Sequence, residues 1–293
     1  MTKAKIIGTG LSGLVGSRIV ELLSSHYEFE DISRKTGTDI SDKEALRKRL
    51  QNSQAEVVIH LAAKTNVDAC EEDKPMGENG EAWKINVIGT ENLIEACEKT
   101  GKKLLYISTD FVFDGENTPE GGYTEKDSPH PINWYAQTKY EAEKRVQNAS
   151  VPWVIVRIAY PYRAAFEKGD FFRAIKNRLS QNLPIAGISD HTFCPTFIDD
   201  IAQGVSVLLE KDVTGIFQMT GSQALSPYEA SLLIAKKFGY SQELISQTTR
   251  EEYFKGKAPR PFNLSINNDK IKKLGAVLHD FSEGLDLIKE QLS

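Results

Sequence analysis

The chain has 293 residues, of which 40% are apolar and 26% charged, with a formal net charge of −5. These are globular proportions, enough for one large domain or a domain with an appended lobe. The charge leaves no basic stripe for nucleic acid, and no apolar run approaches the ~20 residues that cross a bilayer. The cysteines Cys70, Cys97 and Cys194 show no metal-ligand or redox spacing. They are expected to pack, no metal is expected, and a reducing cytoplasm is the expected home. The first strand opens at residue 4, so no signal peptide is expected.

Strands and helices alternate along the first half. A strand over 4–7 leads into a glycine-bearing turn and a helix over 14–23. A second strand (27–33) is followed by a helix over 42–50 with an acidic cap, then a short apolar strand (56–61) of the kind covered on both faces. A long amphipathic helix is expected over 81–99, a strand over 103–108, a helix over 134–147 and a strand over 153–158. The charged, glycine-bearing stretch 71–80 reads as a mobile surface loop. Strands separated by helices of this length imply right-handed crossovers and a doubly wound parallel sheet, an α/β Rossmann fold. Beyond residue 158 prolines punctuate shorter elements, with helices near 171–179, 200–209, 227–238 and 281–291. The expected division is a nucleotide-binding domain over 1–160 and a smaller α/β substrate-binding lobe over 161–293. Within the second part, 197–220 returns to the first domain.

The turn Thr9-Gly10-Leu11-Ser12-Gly13-Leu14-Val15-Gly16 follows a strand and opens a helix, the context a dinucleotide fingerprint requires. Gly10, Gly13 and Gly16 let the backbone approach a pyrophosphate, while the helix N-terminus offers amides and a positive dipole end from Ser12, Leu14 and Val15. After the second strand, a carboxylate would hold a ribose 2′-hydroxyl and a cation would accommodate a 2′-phosphate. Asp31 serves the first purpose if the strand ends early. Ser33 and Arg34, with Lys35, serve the second if it ends later. NADP is favoured, with NAD the alternative.

Tyr135 and Lys139, four residues apart, share one helix face. An ammonium beside a phenol favours the phenolate, so a phenol with an ordinary pKa of ~10 would exchange protons nearer neutrality. That pair is a candidate general acid or base; its plain alternative is a solvated helix surface.

Several separated motifs then carry a resemblance. Ser108-Thr109-Asp110-Phe111-Val112-Phe113-Asp114-Gly115 is the most specific of them. Others are His60-Leu61-Ala62-Ala63, Asn86-Val87-Ile88-Gly89-Thr90, Cys194-Pro195-Thr196-Phe197-Ile198-Asp199-Asp200, and Arg260-Pro261-Phe262-Asn263-Leu264. Together with the turn and the Tyr135/Lys139 pair, the chain resembles the extended short-chain dehydrogenase/reductase superfamily, and within it the dTDP-4-dehydrorhamnose reductase family, over nearly its whole length. The resemblance implies a reductase of a nucleotide-linked 4-keto-6-deoxy sugar. Tyr135 would give the proton, Lys139 would hold the nicotinamide ribose and lower the phenol's pKa, and Thr109 would hydrogen-bond the substrate oxygen. Asp39 and Ile40 would lie along the adenine, and Leu61, Ala62, Ala63 and Lys64 beneath the cofactor. Val67, Asp110, Phe111, Tyr160 and Arg260 would line the substrate. A pairing of subunits is also implied by the family.

Structural readings stand beside these. His60 reads as a packed histidine, Asn86 as a residue fixing backbone geometry, Phe171 and Phe172 as core, and Asp199 and Asp200 as acidic residues at a helix start. The chain also departs from the family pattern. Phe111 replaces a tyrosine, Tyr160 a tryptophan, and Lys64 a frequent tyrosine, all around the inferred substrate. Two further readings therefore stay open: a nucleotide-sugar epimerase or dehydratase, and a non-catalytic NADP-binding subunit like that of methionine adenosyltransferase.

Overall fold

Apolar residues that alternate between the two faces of the central strands organise this chain. The structure, a computed structural model, describes residues 3–293. Its strands are β1 (Ala4–Thr9), β2 (Tyr27–Ile32), β3 (Val57–His60), β4 (Lys103–Thr109), β5 (Trp153–Ile158), β6 (Pro161–Tyr162), β7 (Ile185–Ile188), β8 (Thr196–Phe197), β9 (Gly215–Gln218) and β10 (Ile245–Thr248). The helices that matter below are α1 (Gly16–Leu23), α2 (Lys43–Gln51), α3 (Val67–Asp73), α4 (Glu81–Trp83), α5 (Gly89–Thr100), α6 (Trp134–Gln147), α7 (Phe171–Ser180), α8 (Ile198–Glu210) and α9 (Pro227–Phe238), with a last helix over Phe281–Leu292.

Six strands form one parallel sheet in the order β2-β1-β3-β4-β5-β9. Neighbouring residues face opposite sides, as the strand period of two demands. Ile6, Leu105, Val154 and Val156 meet Ile19 of α1 and Ile201 and Val205 of α8 on one face. Ile7, Leu104, Tyr106 and Ile155 meet Leu46 of α2, Leu93 of α5 and Val146 of α6 on the other. A sheet covered on both faces explains why these strands read as apolar runs. This is the doubly wound Rossmann arrangement.

Because β2 and β3 lie on opposite sides of β1, the sheet reverses its winding between β1 and β3. Ligands of such sheets bind at that reversal, outside the carboxyl ends of the strands. A second core gathers Tyr162, Phe172, Phe193, Ile234, Phe281 and Leu285 from β6, α7, the segment before β8, α9 and the last helix. Ser226 closes a capping box at the start of α9, with Pro227 at the first helical position, which typically stabilises such a helix by ~1 kcal/mol.

Two local expectations are corrected. Residues 71–80 are not a loop: α3 runs through Asp73 and turns of 3-10 helix follow over Lys74–Asn79. Asp73 accepts the Ala82 backbone amide at 2.6 Å and so ties the segment to the start of α4. The expected helix over 81–99 is interrupted by a π turn at Lys84–Ile88. Such turns re-aim side chains, and here the residue inside the turn is the buried Asn86.

Candidate active site

The turn after β1 is shaped by close approach. Gly10 adopts φ +69°, and a Cβ there would lie 2.7 Å from the Ala62 nitrogen. A Cβ on Gly16 would overlap the Gly10 carbonyl oxygen. Gly13 donates its amide to that same carbonyl at 3.0 Å. Glycine is therefore required where the chain folds back on itself and where α1 meets the turn. No side chain caps α1, so the start of this helix offers the dipole's positive end without a competing side chain. Ser12 is exposed at the crest.

Beside this turn the end of β3 is held by a buried network. The Leu61 amide donates to the Thr9 carbonyl at 3.1 Å and the Ala62 amide to Thr9 Oγ1 at 3.2 Å. His60 is wedged between Thr9 Oγ1 (2.6 Å) and Thr90 Oγ1 (3.0 Å), and burial pushes its pKa down to about 3. It is a neutral packing residue. Asn86 grips the main chain of Lys64 from both sides: its Oδ1 accepts the Lys64 amide at 2.8 Å and its Nδ2 donates to the Lys64 carbonyl at 3.1 Å. The π turn thus fixes the path Leu61-Ala62-Ala63-Lys64, while the Lys64 ammonium pairs with Glu81.

β2 ends at Ile32, and Ser33 caps a 3-10 turn over Arg34–Thr36. Asp31 is committed to Ser33, whose hydroxyl donates to it at 2.6 Å. The Arg34 side chain is 74% exposed and pairs with Asp39 at 2.6 Å. Ile40 packs against Gly89, where a Cβ would come within 2.7 Å of it. An exposed cation, paired with Asp39, and not the Ser33-bound acid, therefore stands beyond the strand end.

A second group converges at the end of β4. Thr109 closes the strand; Asp110 and Phe111 follow in a 3-10 turn, and Asn133 caps α6 so that Tyr135 lies in its first turn. Phe111 lies edge-on to Tyr135 with ring centroids 6.2 Å apart and 5.9 Å from Tyr160. Val67, the first residue of α3, packs against the same cluster. Tyr160 sits at φ +38°, a left-handed conformation costly for a bulky residue. Its hydroxyl donates to His191 Nε2 at 3.2 Å, while His191 Nδ1 donates to the Pro261 carbonyl at 2.7 Å. Arg260 is more distant in role: it donates to Asp68 at 2.8 Å and lies over the Phe254 ring. His191 and Phe193, whose ring lies 4.5 Å from Tyr160, were not legible as site residues. Their only signal was an aromatic run just before Cys194-Pro195.

The electrostatics differ from the spacing argument. The Lys139 ammonium is engaged with main chain and a neighbouring ring: it donates to the Ile107 carbonyl at 2.9 Å and lies 4.1 Å over the Tyr106 ring. Burial pushes Lys139 down to about 7, with Glu143 opposing. Burial likewise pushes the Tyr135 phenol above its ordinary value, and the Thr109 side chain is what pulls it back. Sharing a helix face decided the neighbourhood; the loss of water decided the protonation. The three cysteines are buried and free, with burial pushing Cys70 up to about 11 and Cys97 and Cys194 up to about 12.

A family model described as the RmlD substrate binding domain matches residues 4–293. The chain belongs to this family. It is 29% identical to a dTDP-4-dehydrorhamnose reductase of Aggregatibacter actinomycetemcomitans, over 92% of both chains. It is 27% identical to methionine adenosyltransferase 2 subunit beta of Xenopus laevis, over 91% of this chain and 81% of that protein. The solved dTDP-4-dehydrorhamnose reductase of Bacillus anthracis in complex with NADP superposes with a TM-score of 0.89 at 27% identity, covering 99% of this chain and all of that one. Family membership thus agrees with the resemblance carried by the motifs. No helix among the described residues is long and apolar enough to cross a membrane.

Proposed function

We propose that this chain is an NADPH-dependent reductase of a nucleotide-linked 4-keto-6-deoxy sugar, in the manner of dTDP-4-dehydrorhamnose reductase. The observation that carries the reading is the convergence of Thr109, Tyr135 and Lys139 at the carboxyl end of β4 beside a glycine turn shaped for a pyrophosphate. The relatives named as that reductase, one of them solved with NADP, support it.

The residues fit the dinucleotide. Gly10, Gly13 and Gly16 clear the space a Cβ would fill, and the uncapped amides around Ser12, Leu14 and Val15 suit the pyrophosphate. Ser33 and Arg34 take the 2′-phosphate, Asp39 and Ile40 flank the adenine, and Leu61 to Lys64 run beneath. Bound there, NADPH supplies the hydride. Tyr135 delivers its proton to the carbonyl oxygen as that oxygen gains charge, and Thr109 donates a second hydrogen bond to it. Lys139, held by the Ile107 carbonyl, is placed for the nicotinamide ribose. Val67, Asp110, Phe111, Tyr160 and Arg260 shape the substrate side. In this reading residues 1–160 with 197–220 carry the cofactor, and the remainder of 161–293 carries the sugar nucleotide.

The test is a panel of nucleotide-linked 4-keto sugars assayed for NADPH consumption. Turnover of dTDP-4-dehydrorhamnose is expected. Silence across the panel together with tight NADP binding would replace this reading with that of a binding subunit, which the similarity to methionine adenosyltransferase 2 subunit beta favours.

A further inference from the structure

The hydroxyl of Thr109 has one proton and more than one claimant. Phe111 donates its amide to Thr109 Oγ1 at 3.2 Å, and Asp110 Oδ1 lies 3.1 Å from the same atom. The Thr109 side chain also acts on the Tyr135 phenol as a hydrogen-bonding neighbour that lowers its pKa. Asp110 itself is 2% exposed, and its second oxygen, Oδ2, is buried without any partner. A buried carboxylate oxygen left bare is costly unless the group is neutral.

What surrounds Asp110 offers a carboxylate hydrogen bonds from Thr109 and from the Asp110 and Phe111 amides, which burial outweighs, and no cation. The groups that feel its charge are Tyr135 on α6, Tyr160 beyond β5 and Cys194 before β8. Each of them is neutral and itself pushed toward its protonated form by burial. The cations on the adjoining elements are engaged elsewhere, Lys139 on the Ile107 carbonyl and Arg260 on Asp68. His191, behind Tyr160, is spent on Tyr160 and the Pro261 carbonyl, and burial lowers its pKa. No lysine, arginine or histidine pairs with Asp110 among the described residues. Burial accordingly pushes its carboxyl up to about 7.

The two protonation states of Asp110 impose opposite directions on Thr109. An ionised carboxylate only accepts, so the Thr109 proton turns inward to it and none remains for the substrate. A neutral carboxyl donates through Oδ1; Thr109 Oγ1 then accepts from both Asp110 and the Phe111 amide, and its own proton must point outward. We propose that Asp110 is a positioning residue whose proton aims the Thr109 hydroxyl at the carbonyl to be reduced, so that this oxygen is met by two donors, Thr109 and Tyr135. This rests on the reductase reading. It makes Asp110 a switch on the acid side of the reaction in addition to a lining residue of the sugar pocket.

The experiment joins kinetics to a readout that needs no turnover. The kcat/KM for NADPH-dependent reduction of dTDP-4-dehydrorhamnose is followed against pH in the parent, in D110N and in D110A. The parent is expected to lose about tenfold per pH unit above about 7, as one required proton is lost. In D110N the side-chain amide donates to Thr109 at every pH, so activity survives and that limb disappears; D110A loses the aim and is slow throughout. Infrared difference spectra of the full chain, without substrate, should show a buried carboxylic-acid band at pH 6 that is gone at pH 8 and absent from D110N. The D110N advantage in melting temperature should grow from pH 4 and level off above 7, because the folded parent carries a raised carboxyl and loses stability as that group ionises. A parent limb that persists in D110N, a folded D110N as slow as D110A, or no acid band at pH 6 each overturns the proposal. If the parent reduces no sugar at all, the reductase reading falls and the infrared arm alone still decides whether Asp110 holds its proton.

Discussion

The two halves of the site are built from different materials. On the side proposed for the dinucleotide the surface is backbone: the turn at Gly10, Gly13 and Gly16, the uncapped start of α1, and the strand end at Leu61 to Lys64 held by Thr9 and Asn86. On the substrate side it is side chain: Phe111, Tyr135 and Tyr160 with His191 and Phe193, drawn from β4, α6, the end of β5 and the segment before β8. A backbone surface leaves glycine at fixed spacing, because no other residue fits. An aromatic surface can be refilled by another aromatic, and Phe111 and Tyr160 occupy positions where the resemblance leads one to expect tyrosine and tryptophan. In the proposed reading the dinucleotide is therefore held by main chain, whose chemistry no substitution of side chain alters, while the half that would meet the sugar is free to differ.

Breaking one half at its reacting atom should have the largest effect. Tyr135→Phe removes only the transferable proton and keeps the ring that packs beside Phe111. Turnover should fall by about 10²–10⁴-fold, the range a positioned general acid supplies, while NADP affinity measured by calorimetry stays within severalfold of the parent. A variant that reduced substrate as fast as the parent would remove Tyr135 from the chemistry. The opposite dissociation belongs to the backbone half. Gly16→Val places side-chain atoms into the Gly10 carbonyl, so the turn must open or α1 must shift. Overpacking of this kind costs ~1–3 kcal/mol of stability, visible as a lowered denaturation midpoint, and NADP binding should weaken with it. Unchanged cofactor affinity in a folded Gly16→Val protein would show that the turn does not hold the pyrophosphate.

The same contrast explains what could be read in advance. Strand positions in the sheet were legible because burial on both faces leaves continuous apolar runs such as Leu104-Leu105-Tyr106-Ile107. The glycine turn was legible because its constraint is local. The shared helix face of Tyr135 and Lys139 was legible, but the bond of the Lys139 ammonium to the Ile107 carbonyl of β4 was not, because four-residue spacing says only which face two side chains share. The π turn at Lys84–Ile88 was invisible because its cause, the grip of Asn86 on Lys64, spans twenty-two residues. Segment 71–80 looked like a loop because its charges resemble a solvated tract, whereas Asp73 spends its carboxylate on the amide of Ala82. His191 and Phe193 joined the site through folding of distant segments, and the aromatic pair before Cys194-Pro195 does not by itself say where it packs.

The smallest expected effect tests the edge where the two materials meet. Arg34 is, in the proposed reading, a side chain serving the backbone half, and its exposure distinguishes it from the buried groups around Tyr135. An exposed guanidinium gives up little solvation on meeting a phosphate, yet water and salt also screen what it gains. Its loss should therefore cost about tenfold, ~1.4 kcal/mol, rather than abolish binding. Arg34→Ala should raise the KM for NADPH by that factor and leave the KM for NADH nearly unchanged, since Asp31 remains bound to Ser33 and is not released toward a ribose. The preference for NADPH should also shrink in the parent as salt is raised and be insensitive to salt in the variant. Equal losses with both cofactors would mean that Arg34 serves the turn through its pair with Asp39 and that the 2′-phosphate is recognised elsewhere.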